Sequence, residues 1–188
     1  IHLVDAPAGP LTIRYDGDAP SIVPMPVTDD ERVVYTRQSR YCPSDVLEGF
    51  ARTTFGAGTD PGTIGDWVHD RLTYVSGSSD SYDTAIETLL TGRGVCRDFA
   101  HLTVALCRAS GVPARLVAVY APWLEPMDFH AVAEAEVDGA WQVVDATRLA
   151  PTEMLVRICH GRDAADTAFV STLRGDASLR RSTVHASV

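Results

Sequence analysis

The sequence predicts an α+β fold in which N-terminal helices, the last of them opening on a cysteine, pack on an antiparallel sheet. Three observations predict it. An apolar helical pattern covers residues 95–110, with Phe99, Leu102, Leu106 and Cys107 on one stripe, as a 3.6-residue period requires. Residues 131–137 and 140–145 flank Asp138-Gly139, a pair that two-residue hairpin loops favour. Between the two, residues 116–120 form an apolar run of strand length, rich in the β-branched types that suit a pleated surface.

The remaining elements follow in order. Residues 1–30 are Pro- and Gly-rich, with a β-prone piece at 11–15, and read as an arm or linker. Pro43-Ser44 opens a helix that runs toward Phe55, with Ser44 as its N-cap. Thr63 is the expected cap of a second helix, which carries Ile64, Trp67, Val68 and Leu72 at helical spacing. Asp83-Thr84 opens a third helix over residues 85–90, stopped by Gly92. The long helix ends at Gly111, with Pro113 just beyond. A loop with Pro122 and Pro126 then leads into the hairpin. The domain reading is an N-terminal arm at 1–40, a core at 41–175 and a polar tail at 176–188.

At 188 residues the chain can bury a sizeable core. Its formal net charge of -9 argues against nucleic acid or an anionic membrane as a partner. No apolar run approaches the length of a membrane span. The four cysteines, at 42, 96, 107 and 159, include no CxxC pair, so neither a disulfide framework nor a structural zinc site is expected. Cys159-His160 with His101 makes a poor metal set, and no acidic run has the spacing of a calcium loop. No metal and no organic cofactor are expected. Free thiols suit a cytoplasmic location, although the chain begins at Ile1 without an initiator Met.

The chemistry concentrates in the stretch from Gly92 to His101. A glycine turn delivers Cys96 to the first turn of the long helix. There the macrodipole and unpaired backbone N–H groups favour the thiolate, the nucleophilic form. A lone cysteine at such a place is more often a buried apolar residue. The hairpin changes that balance. If Asp138-Gly139 is the whole loop, Val137 faces Ala140 and Val132 faces Asp145. His130 shares a face with Val132, so His130 and Asp145 are diagonal neighbours on adjacent strands. Cys96, His130 and Asp145 then form a nucleophile, a base and an orienting carboxylate.

Other residues carry less. Asp98 reads as structural, making a polar contact to a neighbouring loop, and His101 as a packed histidine. Tyr74 and Tyr82 lie upstream of the cysteine; Tyr82 is the candidate for a group that assists the oxyanion. Trp123, in the loop before His130, is a candidate wall of the acyl site. The stretch from Gly161 to Asp166 lacks the pattern of a phosphate loop and reads as a turn into a helix.

The stretches Gly94-Val95-Cys96-Arg97-Asp98-Phe99-Ala100-His101-Leu102, Gly111-Val112-Pro113-Ala114-Arg115, Phe129-His130-Ala131 and Val144-Asp145-Ala146-Thr147 resemble the bacterial branch of the transglutaminase-like superfamily. The resemblance spans roughly residues 60–175 and implies a papain-like core, with Cys96 as nucleophile, His130 as base and Asp145 as orienter. It also implies that the N-terminal arm is the remnant of a preceding β-domain. Two positions depart from the pattern: Val132 stands where the family usually has Trp, and Ala146 where it usually has Pro. The implied activity is acyl transfer from peptide or protein amides through a Cys96 thioester. Water as acceptor makes the protein a cysteine protease or amidase; a primary amine makes it a protein-glutamine transglutaminase. The alternative is a non-catalytic peptide-binding or scaffold module of the same fold.

Overall fold

A computed structural model describes residues 3–18, 23–56 and 58–187. The helices are α1 (Asp29–Tyr35), α2 (Glu48–Phe55), α3 (Pro61–Arg71), α4 (Ala85–Thr91), α5 (Cys96–Ala109) and α6 (Ala164–Thr167). Strands β1 (Thr73–Tyr74) and β2 (Arg93–Gly94) form a small parallel pair. Strands β3 (Ala114–Tyr120), β4 (Phe129–Val137), β5 (Ala140–Val144) and β6 (Val156–Gly161) form an antiparallel sheet in the order β5-β4-β3-β6. Among the described residues, no helix is long and apolar enough to cross a membrane.

Helix α5 is the spine of the core. Every residue from Asp98 to Arg108 is buried. Leu102, Leu106 and Cys107 share one apolar cluster with Ala114, Ala133 and Ala135 of the sheet and with Ile64 and Val68 of α3. The three alanines keep the sheet surface low, so that the helix can approach closely. A second cluster joins Val117, Val119, Val132 and Leu155.

The hairpin has the register read from the sequence. Val137 pairs with Ala140, and Ala133 with Val144. Asp138 and Gly139 both have left-handed φ, at 50° and 78°. That is the backbone of a type I′ turn, whose twist matches the flanking strands.

Several elements differ from the sequence reading. Helix α3 begins at Pro61, and its cap is Asp60, whose carboxylate accepts the Thr63 N–H at 3.1 Å. Thr63 is therefore the donor in this cap. Proline at the first helical position, after an Asp cap, starts the helix earlier than threonine would. Ser44 precedes a 3-10 turn, Asp45–Leu47, and makes no side-chain cap bond. Helix α4 extends to Thr91, with Thr84 and Glu87 in a capping box and Gly92 at φ 66°. The sequence reading assigns no element to residues 156–160, yet strand β6 pairs antiparallel with β3 across a shift between Ala118 and Val119.

The largest difference is at the N-terminal arm. Residues 3–18 are exposed. Residues 25–27, however, extend the sheet edge: Val27 N–H donates to Gly139 O at 2.9 Å and Trp141 N–H to Met25 O at 2.8 Å. Helix α1 follows, with a capping box between Thr28 and Glu31. It covers the outer face of the sheet, where Trp141 is 1% exposed and meets Tyr35 edge-on at 5.4 Å. The fully buried Arg115 side chain pairs with Glu134 and Glu31 and lies over the Trp141 ring at 4.2 Å. A buried guanidinium needs such partners, and Glu31 of α1 is one of them. Residues 25–35 therefore belong to the core, and the arm is shorter than the 1–40 expected.

Gly65 of α3 allows the closest approach of helix and sheet: a Cβ there would lie 2.5 Å from Val144 Cγ1. Gly65→Ala should destabilise the fold by about 1–3 kcal/mol through overpacking. Combining it with Val144→Ala should recover part of that loss. Urea denaturation of the two single variants and the double variant measures the coupling, and strict additivity would mean that the two sites do not touch.

Candidate active site

Cys96 is the first residue of α5. Its position is set by what precedes it. Asp98 is 1% exposed, and its carboxylate accepts the Val95 N–H at 2.8 Å, closing the start of the helix from within. Gly94 makes this possible, since a Cβ there would lie 2.6 Å from Asp98 Cβ. The polar link to a neighbouring loop runs through Arg97 rather than Asp98. Its guanidinium bonds the Asp98 carboxylate at 3.1 Å and donates to Ser79 Oγ at 2.6 Å.

His130 lies on β4 opposite Val119. Its Nε2 is 3.1 Å from Asp145 Oδ2, and both side chains are 1% exposed. Asp145 follows β5 directly and continues the hairpin register opposite Val132. The other carboxylate oxygen accepts Thr147 N–H at 2.9 Å and Thr147 Oγ1–H at 2.7 Å. The next carbonyl, that of Ala146, is 2.8 Å from His69 Nδ1 of α3. Asp145 is thus held by His130 and Thr147, and the residue after it by His69.

With Nε2 turned to Asp145, Nδ1 of His130 is the ring nitrogen left for Cys96. Burial opposes charge on this imidazole, but the hydrogen bond to Asp145 and the nearby Cys96 outweigh it and hold its pKa up at about 9. Burial likewise works against the Asp145 carboxylate, yet bonding to His130 and Thr147 keeps its pKa below the ordinary value. The structure therefore brings Cys96, His130 and Asp145 together, with a proton favoured on the imidazole.

The other thiols differ in kind. Burial pushes Cys42 and Cys107 up to about 12, and it raises Cys159 as well. His101 is lowered to about 3 by burial. Its Nε2 accepts the Ala164 N–H at 3.1 Å and its ring stacks on Tyr41, so it anchors α6 to α5.

Of the two flanking candidates, Tyr82 is 73% exposed on a turn. The tyrosine beside Cys96 is Tyr74, which lies on the side of the Cys96 backbone N–H. Trp123 is 66% exposed and has φ 78°, a left-handed backbone that costs a bulky residue about 1–3 kcal/mol. It lies in the loop that joins β3 to β4. Sequence reading passed over Thr147 and His69 as well. An oxygen side chain two residues after Asp is a recognisable turn signal; the reach of His69 across from α3 has no local signal.

The family model for the transglutaminase-like superfamily matches residues 58–146, which hold Cys96, His130 and Asp145. Residues 58–146 belong to the transglutaminase-like superfamily. A solved structure named as a putative cysteine protease, from Cytophaga hutchinsonii, is similar at 45% identity and TM-score 0.72, over 76% of this chain and 50% of that one. The periplasmic domain of TgpA from Pseudomonas aeruginosa, bound to ethylmercury, shares the fold at 21% identity and TM-score 0.50, over 68% of this chain and 52% of that one. A curated relative, an uncharacterised protein of Mycobacterium leprae, is 32% identical over 113 residues, covering 54% of this chain and 39% of the relative. The chain spans about half the length of the Cytophaga protein and less of the mycobacterial one.

Within this transglutaminase-like core, the two departures from the family pattern have clear surroundings. Val132 is 1% exposed in the cluster around Leu155, so an apolar residue of its size is packed on every side. Ala146 is 4% exposed and contributes its carbonyl to His69. Neither residue touches the bond between His130 and Asp145.

The raised His130 pKa has a consequence for stability. In the unfolded chain the imidazole titrates near its ordinary value, about 6.5; in the fold it keeps its proton to about 9. The stabilisation from His130 is therefore complete below about 6.5 and is lost as pH rises through about 9. The melting temperature of the wild type minus that of His130→Gln should be largest near pH 6 and shrink toward pH 10. A difference that grows with pH would contradict the charged-imidazole assignment.

Proposed function

We propose that this protein is a cysteine peptidase or amidase that acts on amide bonds of peptides or proteins through a Cys96 thioester. The observation that carries this reading is a thiol on the first turn of α5 beside an imidazole whose charge is supported by a buried carboxylate. The Cytophaga relative named as a putative cysteine protease supports the same class.

The chemistry follows from the three groups. The Cys96 thiolate attacks the amide carbonyl carbon. His130, protonated, gives its proton to the leaving nitrogen as the C–N bond breaks. Neutral His130 then takes a proton from water, and hydroxide attack on the thioester releases the acid and regenerates the thiolate pair. Asp145 fixes the ring and stabilises the imidazolium without taking up the proton. A primary amine in place of water would give transamidation; hydrolysis is favoured because it needs no second organic site. The alternative, a binding module without catalysis, would leave Cys96 no more reactive than the buried Cys107.

The deciding experiment is mass spectrometry after incubation with glutamine-containing peptides, with and without a primary amine. Hydrolysis gives a gain of one mass unit at glutamine or a cleaved peptide; transamidation gives the amine adduct; a scaffold gives neither.

Cys96 should be the fastest of the four thiols to react with iodoacetamide at neutral pH, as read by peptide mapping. Faster labelling of Cys159 would reassign the nucleophile. Asp145→Asn should retain the fold and lower turnover by about 10²–10⁴. His130→Ala should cost at least as much, and the double variant little more than either alone.

A further inference from the structure

Tyr74 is set against Cys96 by two anchors. Strand β1 pairs in parallel with β2, which places Tyr74 opposite Gly94, and the Val75 N–H donates to Gly94 O at 3.0 Å. The pairing continues on the other side, where the Thr73 N–H donates to Gly92 O at 2.9 Å. Gly94 is the residue just before the Val95 cap of α5. The second anchor is Phe99, one turn into α5, whose ring centroid is 6.0 Å from that of Tyr74. One anchor precedes Cys96 and the other follows it, so the phenol is held over the first turn of the helix. There the phenol neighbours Cys96, on the side of its backbone N–H. Tyr74 is nonetheless 43% exposed, so the residue is not sealed into the core.

We propose that the Tyr74 hydroxyl is a catalytic residue that donates a hydrogen bond to the oxyanion formed during acylation of Cys96, alongside the Cys96 N–H. The proposal rests on the Cys96 thioester reading. In the step concerned, the thiolate forms the C–S bond and the carbonyl π pair moves to oxygen. That oxygen accepts from the Cys96 N–H, a first-turn donor with no intrahelical partner, and from Tyr74 O–H. The oxygen pair then returns to re-form C=O as the C–N bond breaks, with the proton for nitrogen coming from His130. Tyr74 keeps its proton throughout. Its environment agrees: burial, then the charge on Cys96, raises the phenol pKa above the ordinary value, against the opposing effect of the Cys96 N–H. A residue that serves as a donor gains from staying protonated.

Tyr74→Phe separates this role from a structural one. Iodoacetamide alkylation is a displacement at a saturated carbon and creates no oxyanion. The variant should therefore alkylate at the wild-type rate while its acylation rate falls about 10²–10³-fold with little change in KM. Affinity for a peptide aldehyde, whose thiol adduct carries the same tetrahedral oxygen, should fall alongside. Tyr82→Phe should match the wild type in every assay. Retained turnover in Tyr74→Phe overturns the proposal. So does an equal loss of alkylation and acylation, which would make Tyr74 a determinant of the thiol itself. A wild-type protein that forms no acyl-enzyme removes the Cys96 reading and this proposal with it; the other failures strike Tyr74 alone.

Discussion

The hydrogen bond between His130 and Asp145 is buried at both ends, and much of the surrounding architecture is what such burial requires. A carboxylate with so little water around it needs partners on every lone pair, because an unpaired buried charge costs several kcal/mol. The hairpin supplies the first partner, since a two-residue loop at Asp138-Gly139 puts Asp145 in register with Val132. A slip of one residue would turn every side chain of β5 to the opposite face. The turn after β5 supplies the second through Thr147. Helix α3 secures that turn through His69, and it can lie close because Gly65 has no side chain to collide with Val144. The site thus depends on a helix that contributes no group to the chemistry.

The start of α5 obeys a related constraint. A helix that serves as the spine of the core would ordinarily bury its whole length, and a buried thiol is unreactive, as Cys42 and Cys107 illustrate. The first turn must therefore emerge from the core without fraying. Asp98 provides the cap from inside the helix, accepting the Val95 N–H, and Gly94 leaves room for it. Because the cap comes from the third helical residue, the chain before Cys96 is free to pair with β1. That pairing brings Tyr74 to the site.

Much of this was legible in the sequence, and what was legible is local. Asp138-Gly139 selects a turn type, period-two alternation carries the register to Asp145, and a glycine turn before an apolar stripe marks Cys96. What escaped depends on contacts distant along the chain. Helix α1 has its own signal in the Thr28–Glu31 capping box, but the need for it comes from Arg115 and Trp141, about a hundred residues on, whose burial cannot be read from their own neighbourhood. Strand β6 is an edge strand with mixed exposure, so Arg157, Cys159 and His160 hide its alternation. Tyr74 was passed over in favour of Tyr82 because a parallel pairing of two residues leaves almost no pattern; the nearer tyrosine in sequence is the more exposed one.

The four thiols show why identity of residue type predicts so little by itself. All are cysteines within one fold, and three of them have their ionised form opposed by burial. Cys96 alone has a histidine beside it whose charge is supported from behind. The difference lies in the path by which each backbone position reaches its surroundings: Cys107 is three turns along the same helix, on the stripe that meets the sheet. Reactivity in this core is therefore a property of where α5 begins. That point is fixed by Gly94, Asp98 and the β1–β2 pair acting together, before any side chain of the sheet is considered.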